Sequence, residues 1–197
     1  LKELTSKIAI QKNLINNINN KIIYYDVHYT KSLLAINLNS ITPKFCNQFN
    51  LKDAINPLFT LTKKKYIPLN FSSDHHKTII ISGPNSGGKT IVIKSIGLYS
   101  IMAQSGIHIP AKVAVVPIFN IFLSDIGDKQ SLDDDLSTFS AHMKKISEIT
   151  KTSNENSLVL IDEMGTGTDP EIGASLSISI PFSYKASRIY SLLPVSY

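Results

Sequence analysis

Apolar positions near the start of the chain recur every three, four or seven residues, with polar positions between them. Residues 1–23 follow this spacing, and residues 26–39 continue it until the segment 41–44, which contains Pro43, interrupts it. The spacing predicts amphipathic helices whose apolar face packs on another surface, because an isolated helix of this length is only marginally stable in water. One helix of a local bundle and a long lever or coiled-coil arm both satisfy the pattern.

The rest of the chain alternates short β-branched runs with helical patterns. Strands are predicted at 78–82, 118–126 and 157–162, and helices at 90–104, 136–150 and 171–180. Residues 56–70 mix breakers with short apolar runs, which predicts loops and edge strands. Strands alternating with helices indicate an α/β fold with a largely parallel sheet. We therefore expect a helical segment over residues 1–45 and an α/β domain over residues 46–197.

The composition limits the class of protein without naming it. An apolar fraction of 43% over 197 residues is ample for a buried core. No apolar run reaches the roughly 18 to 20 residues that cross a bilayer, which predicts a soluble protein. The net charge of +5 permits contact with a polyanion. A low-GC genome that favours Lys, Asn and Ile would give the same balance, so the charge does not decide the partner.

The single cysteine and the first residue add two expectations. Because Cys46 is alone, an intrachain disulfide and a thiolate metal site are excluded, which suits a reducing, cytoplasmic environment. We expect Cys46 to be a small buried apolar residue. The chain begins at Leu1 with neither a start methionine nor a signal peptide, so we expect it to be a piece of a longer protein.

A glycine-rich segment follows the first predicted strand of the α/β part. It reads Gly83-Pro84-Asn85-Ser86-Gly87-Gly88-Lys89-Thr90 and fits the spacing G-x-x-x-x-G-K-[ST] between a strand and a helix. The glycines let successive backbone N–H groups point at a phosphate, and the following helix adds its positive N-terminal end. The Lys89 ammonium suits the β- and γ-phosphates of a nucleotide, and the Thr90 hydroxyl suits Mg²⁺.

The strand predicted at 157–162 ends in two acids, Asp162 and Glu163. Ligands bind beyond the carboxyl ends of strands in such sheets, so this pair is expected beside the phosphate loop. Asp162 would hold Mg²⁺ through water, and Glu163 would polarise the water that attacks the γ-phosphate. Alone, an apolar run that ends in Asp-Glu would be a solvated strand end; the upstream phosphate loop favours the functional interpretation.

Two further segments have alternatives that the residues alone leave open. The turn at 165–170 is either a connecting loop or a sensor of a partner's nucleotide. Ser137 and Thr138, which open a predicted helix, either cap it or offer hydroxyls to a phosphate from another subunit. The acidic run 133–135 is expected to be a solvated approach to this helix rather than a metal site.

Several blocks together resemble the ATPase domain of the MutS family over about residues 50–180. The blocks are Ile81 to Thr90, Met102 to Gly106 with Ile109-Pro110-Ala111, Ser137-Thr138-Phe139, and Leu160 to Thr168. Three details are similar to the recombination-suppressing branch, the second bacterial MutS type. They are Ile91 after Thr90, Ser140-Ala141-His142-Met143 after the Ser-Thr-Phe block, and Asp169-Pro170 after Thr168.

The resemblance implies a P-loop NTPase sheet of the ABC type with flanking helices, preceded by a helical lever or core end. It implies ATP and Mg²⁺ as ligands and a homodimer in which each site is completed in trans, so that Ser137 and Thr138 face the γ-phosphate held by the other chain. Asn56-Pro57-Leu58 is similar to the family's His-Pro-Leu segment. Tyr66 lies where the family places an aromatic near the adenine, and stacking there is our hypothesis beside a core role.

The same resemblance implies partners and activities of a whole protein. Members of this branch are described as DNA-binding ATPases with a nuclease-type domain that act on branched DNA or on stalled ribosomes; the wider family serves mismatch repair. This sequence shows no nuclease motif. A membrane partner is not expected.

The tail departs from the family pattern. The family continues after the helix at 171–180 into a strand ending in Thr-His, whose histidine contacts the γ-phosphate, whereas no histidine follows His142 here. Residues 189–193 could fill that central slot as a strand without its chemistry. We expect the tail to arise from a frameshift or a degraded gene. Two alternatives remain. The chain is either an inactive truncated relic or another dimeric ATPase of the chromosome-maintenance or transporter kind. Ser137-Thr138-Phe139 argues against the second alternative, because ATPases of that kind carry Gly-Gly-Gln.

Overall fold

The computed structural model describes residues 2–62, 65–74, 76–83, 87–126, 135–162 and 188–194. For 135–142 and 188–194 it describes the backbone alone. The helices are α1 (Lys2–Ile10), α2 (Lys12–Asn37), α3 (Pro57–Leu61), α4 (Lys89–Gln104) and α5 (Asp135–Thr152). The strands are β1 (Lys44–Phe45), β2 (Asn50–Ala54), β3 (Leu69–Ser72), β4 (Thr78–Gly83), β5 (Val113–Val116), β6 (Ile121–Asp125), β7 (Ser157–Ile161) and β8 (Arg188–Pro194).

The predicted N-terminal helices form, but their apolar positions are exposed within the part of the chain that is described. No residue of α1 is buried, and Ala35 is the one buried residue of α2. The C-terminal part of α2 contacts the rest of the fold, where the Lys31 Nζ donates to the Ser105 carbonyl at 2.6 Å. Ser105 caps the C-terminal end of α4, where a positive charge is favourable. No described helix is long and apolar enough to cross a membrane.

A mixed sheet of four strands follows the helical segment in the order β1-β5-β2-β3. β1 pairs with β5 in parallel, whereas β2 is antiparallel to both β5 and β3. The expectation of one largely parallel sheet was therefore incomplete, because β2 and β5 are short and pair with strands distant in sequence. The expectation of loops over 56–70 also missed α3. Cys46, which follows β1, is exposed, so its predicted burial was wrong.

The second sheet is entirely parallel and has the order β4-β8-β7-β6. It confirms the α/β prediction and the predicted strands before the glycine-rich loop and before Asp162. β8 pairs with β4 on one side and β7 on the other, which confirms that residues 189–193 fill the central slot as a strand. All four carboxyl ends therefore meet at one edge of the sheet.

Side-chain alternation along β7 assigns each of its faces to one helix. Leu158 and Leu160 belong to the same buried cluster as residues of α4, while Val159 and Ile161 pack with residues of α5. The approach of α4 is close, since a Cβ added to Gly97 would lie 2.7 Å from the Leu160 Cδ1. The glycine thus lets the helix that follows the loop rest directly on the strand that precedes Asp162.

Gly97→Val should lower the free energy of unfolding by about 2 kcal/mol, because the added methyl groups overpack the contact with Leu160. Urea unfolding measures the change. Ile101→Val on the exposed face of the same helix is the control and should stay within about 0.5 kcal/mol of the parent chain. A Gly97→Val chain as stable as this control would contradict the close approach of α4 to β7.

Candidate functional site

The glycine-rich loop joins β4 to α4 at the carboxyl edge of the parallel sheet. Gly88 is the N-cap of α4 and has a φ of +75°, a left-handed conformation that costs a residue with a Cβ about 1–2 kcal/mol. Lys89 is buried, and its Nζ donates to the Gly83 carbonyl at 2.6 Å. Thr90 lies half-buried in the first turn of α4. The lysine amine is thereby held beside the backbone N–H groups that open the helix.

Pro84, Asn85 and Ser86 of the same loop lie outside the described residues. Their expected contacts with a phosphate stay predictions. What the structure does place is the two ends of the loop, Gly83 at the end of β4 and Gly87 before the N-cap of α4. This strand–loop–helix order is the one that the sequence predicted.

Asp162 directly follows β7 and is 5% exposed. Its backbone N–H donates to the Asp125 carbonyl at 2.9 Å, which extends the pairing of β7 with β6 by one residue. Alternation then directs its side chain to the face of Leu158 and Leu160, which is the face of α4. The Asp162 carboxylate and the Thr90 hydroxyl therefore lie on the same side of the sheet.

One carboxylate oxygen of Asp162 fits a cation. The Oδ1 is buried and accepts no hydrogen bond from any described residue. A buried carboxylate oxygen without a donor is costly unless a cation or water satisfies it. No group of three His, Cys, Asp or Glu residues gathers in the described ranges, and Mg²⁺ needs none because one or two carboxylates suffice beside water and phosphate.

The spacing of the sheet fixes how far the loop lies from this carboxylate. Gly83 registers with Pro194 of β8, and Ile161 registers with Ser191 of the same strand. The tips of β4 and β7 are therefore separated by one strand, or about 10 Å at roughly 4.8 Å for each pairing. A triphosphate with its metal ion can bridge such a gap.

A cavity of about 400 Å³ adjoins the loop on the side of the mixed sheet. Its walls come from the segment that precedes β3, from the loop and from the first turns of α4. They include Tyr66, Ile67, Pro68, Gly87, Gly88 and Ile91. Tyr66 lines this cavity and is 41% exposed, so it is not a core residue. The structure brings this residue together with the glycine-rich loop.

Asn56 joins the wall of this cavity to α4, a contact that sequence reasoning missed. Its Oδ1 accepts the Leu58 N–H at 3.0 Å and caps α3, while its Nδ2 donates to the Ser95 Oγ at 2.9 Å. An asparagine before a proline is a helix-start signal, so the cap could have been predicted. The contact with Ser95 spans 39 residues and has no local signal.

Tyr99 lies one turn beyond Ser95 and also lines the cavity. The side chain is fully buried, and burial raises the pKa of the Tyr99 phenol well above its usual range. The phenol therefore stays protonated and neutral at any physiological pH. The wall of the cavity is mainly apolar, which suits an uncharged planar ring better than a phosphate.

The remaining site predictions fall outside what the structure describes. Ser137 and Thr138 lie near the start of α5, and their side chains are not described. Glu163, the turn 165–170 and the helix predicted at 171–180 also lie outside the described residues. Their roles stay predictions.

Comparison with known proteins gives consistent matches. Residues 79–193 match the family model of MutS domain V. The Endonuclease MutS2 of Finegoldia magna is 43% identical over 194 residues, which are 95% of this chain and 24% of that protein. The Endonuclease MutS2 of Caldicellulosiruptor bescii is 42% identical, with 96% of this chain and 24% of that protein covered. That of Lactobacillus helveticus is 43% identical, with 91% and 23% covered. The chain thus spans about a quarter of the length of these curated relatives.

Asn56→Ala should lower the free energy of unfolding by about 1–2 kcal/mol, because both the cap of α3 and the tie to Ser95 are lost. Asn56→Asp keeps the capping oxygen and should retain most of the stability. Urea unfolding measures both. Equal stability of Asn56→Ala and the parent chain would show that the cap and the tie do not hold this wall of the cavity.

Proposed function

Because the chain belongs to the MutS family, we propose that it binds ATP with Mg²⁺ and hydrolyses it as the ATPase part of a DNA-binding protein. The observation that carries this proposal is the shared edge of the parallel sheet, where α4 begins with buried Lys89 and the open carboxylate of Asp162 is directed to the same helix. The fold that we propose is a P-loop NTPase domain of the ABC type over residues 46–197, preceded by a helical lever over residues 1–45.

The nucleotide lies with its phosphates against the N-terminal end of α4. Backbone N–H groups of residues 87–90 would surround the β-phosphate, and the Lys89 ammonium would leave the Gly83 carbonyl to bind the β- and γ-phosphates. Thr90 and Asp162 hold the metal ion. The base enters the cavity and stacks on Tyr66, which already forms part of its wall.

Residues near the γ-phosphate of a bound nucleotide would catalyse its hydrolysis. Mg²⁺, when bound, neutralises charge on the phosphate oxygens. Lys89 stabilises the charge that develops in the transition state, and Glu163, the residue after Asp162, polarises the attacking water.

We propose that two chains complete each other's sites. Ser137 and Thr138, near the N-terminal end of α5, provide hydroxyl and N–H groups to the γ-phosphate bound by the partner, as at other helix N-termini that bind anions. ATP binding then closes the dimer, and hydrolysis releases it. Parts of the protein outside this chain would bind branched or mismatched DNA, or a ribosome, in the cytoplasm.

The strand order gives a specific reason to keep the inactive alternative. β8 fills the slot between β4 and β7, yet no histidine follows His142 to contact a γ-phosphate. A chain that keeps the loop and lacks this contact could bind nucleotide without turning it over. Binding and turnover must therefore be measured separately.

Mg²⁺-ATP should raise the thermal midpoint of the chain. At a hundred times the dissociation constant, bound ligand adds about 2.7 kcal/mol, or roughly 5–10 °C for a chain of this size. Lys89→Ala should abolish the rise, while Lys52→Ala on the exposed side of β2 should keep it. The proposal of ATP binding fails if the parent chain gains no stability from Mg²⁺-ATP.

Glu163→Gln addresses turnover in the same chain. It should keep the nucleotide-dependent rise and lower ATP hydrolysis by about 100-fold or more, as expected for loss of a general base. Phosphate release measures the rate. Unchanged hydrolysis would remove Glu163 from this role, and a parent chain that binds without hydrolysing would favour the inactive alternative.

Tyr66→Ala should weaken ATP binding about tenfold, since stacking on a base contributes about 1–3 kcal/mol. Tyr66→Phe keeps the ring and should stay within about twofold of the parent chain. Inorganic tripolyphosphate, which has no base, should bind all three chains equally. If Tyr66→Ala instead weakens tripolyphosphate and ATP by the same factor, Tyr66 supports the fold of the loop rather than the base.

A further inference from the structure

Asp125 ends β6 at the same edge of the parallel sheet, outside the motifs that carry the proposed chemistry. Its side chain is only 4% exposed, and its Oδ1 lies 3.1 Å from the Nζ of Lys145 on α5. Lys145 is half-exposed, so its stem reaches in from the surface to the buried acid. The ion pair offsets the cost of burying the Asp125 carboxylate, because burying a charge is costly unless it is paired.

The two acids at this edge face opposite sides of the sheet. Asp125 registers with Ile161, and Leu123 registers with Val159. Leu123, Val159 and Ile161 pack with Ile146 and Ile149 of α5, so the Asp125 side chain lies on the α5 face. Asp162, one residue further along, is directed to the α4 face.

A backbone hydrogen bond joins the two strands at these acids. The Asp162 N–H donates to the Asp125 carbonyl at 2.9 Å. The ion pair with Lys145 therefore holds the Asp125 side chain on the α5 face of the sheet. The backbone carbonyl of the same residue holds Asp162, whose side chain is directed to the α4 face. If the ion pair between Asp125 and Lys145 were lost, the Asp125 carboxylate would turn toward solvent, and the carboxyl end of β6 would move with it.

We propose that Asp125 and Lys145 are positioning residues that hold the Asp162 carboxylate where Mg²⁺ of a bound nucleotide is held. The inference rests on the proposed function, since it assigns a support to that same site. It also ties α5, which begins with the segment carrying Ser137 and Thr138, to the metal carboxylate.

The Mg²⁺ concentration that gives half of the ATP-dependent rise in thermal midpoint measures the proposal directly. Asp125→Asn and Lys145→Met should each raise it about tenfold, the lower end of what losing a support of a metal ligand costs. The rise given by ATP with EDTA in place of Mg²⁺ should stay unchanged, because the phosphate loop is untouched. Lys145→Arg should restore the half-saturating Mg²⁺ concentration to within about twofold of the parent chain, since arginine can pair with the same carboxylate.

Lys144→Met is the matched control, because Lys144 is the exposed neighbour on the same turn of α5. It should leave the Mg²⁺ requirement unchanged. Asp125→Asn nearly preserves the side-chain shape and carries the test if Lys145→Met does not fold. Lower stability with an unchanged Mg²⁺ requirement would make the pair purely structural and overturn the proposal. A parent chain without any ATP-dependent rise would instead overturn the proposed function, and the inference with it.

Discussion

The pairing of β8 with β4 on one side and β7 on the other is the interaction on which the candidate site depends. Without this strand, β4 and β7 would not share a sheet, and the position of the glycine-rich loop relative to Asp162 would depend on the packing of α4 against β7 alone. Backbone hydrogen bonds of a parallel ladder need only strand-compatible side chains, and 189–193 supply them. The slot can therefore support the geometry of the edge without contributing a side chain to its chemistry.

Side-chain alternation then decides what each strand end can do. On β7, residues that face α4 lead to Asp162, whose free oxygen is turned toward the helix that begins with Lys89 and Thr90. On β6, the equivalent alternation leads Asp125 to α5 and to Lys145. The same edge thus carries a carboxylate open to a cation on one face and a neutralised carboxylate on the other. In the proposed site, Asp162 is the metal ligand and Asp125 supports it from the adjacent strand.

The sequence predicted those parts of the fold whose signals are local. The β-branched run before Gly83, the helix that begins at Lys89 and the apolar run before Asp162 follow from short patterns. The slot of β8 was expected from the family resemblance, which the match over domain V confirms. The mixed sheet was missed because β1 has two residues and β2 pairs with strands far along the chain. The contacts of Asn56 with Ser95 and of Asp125 with Lys145 were missed for the same reason, since periodicity gives no distance between segments. Cys46 follows an edge strand and is exposed, which residue type alone did not predict.

We propose that the glycine-rich loop and Asp162 form one site, and replacing Mg²⁺ with Mn²⁺ makes metal binding at this site measurable. Electron paramagnetic resonance measures free Mn²⁺ during titration of the chain with and without ATP. We expect the chain to bind Mn²⁺ when ATP is present and not when it is absent. Asp162→Asn should weaken this binding about tenfold or more, while Asp74→Asn at an exposed turn should not. Mn²⁺ binding that needs no ATP, or that survives Asp162→Asn unchanged, would contradict a shared site.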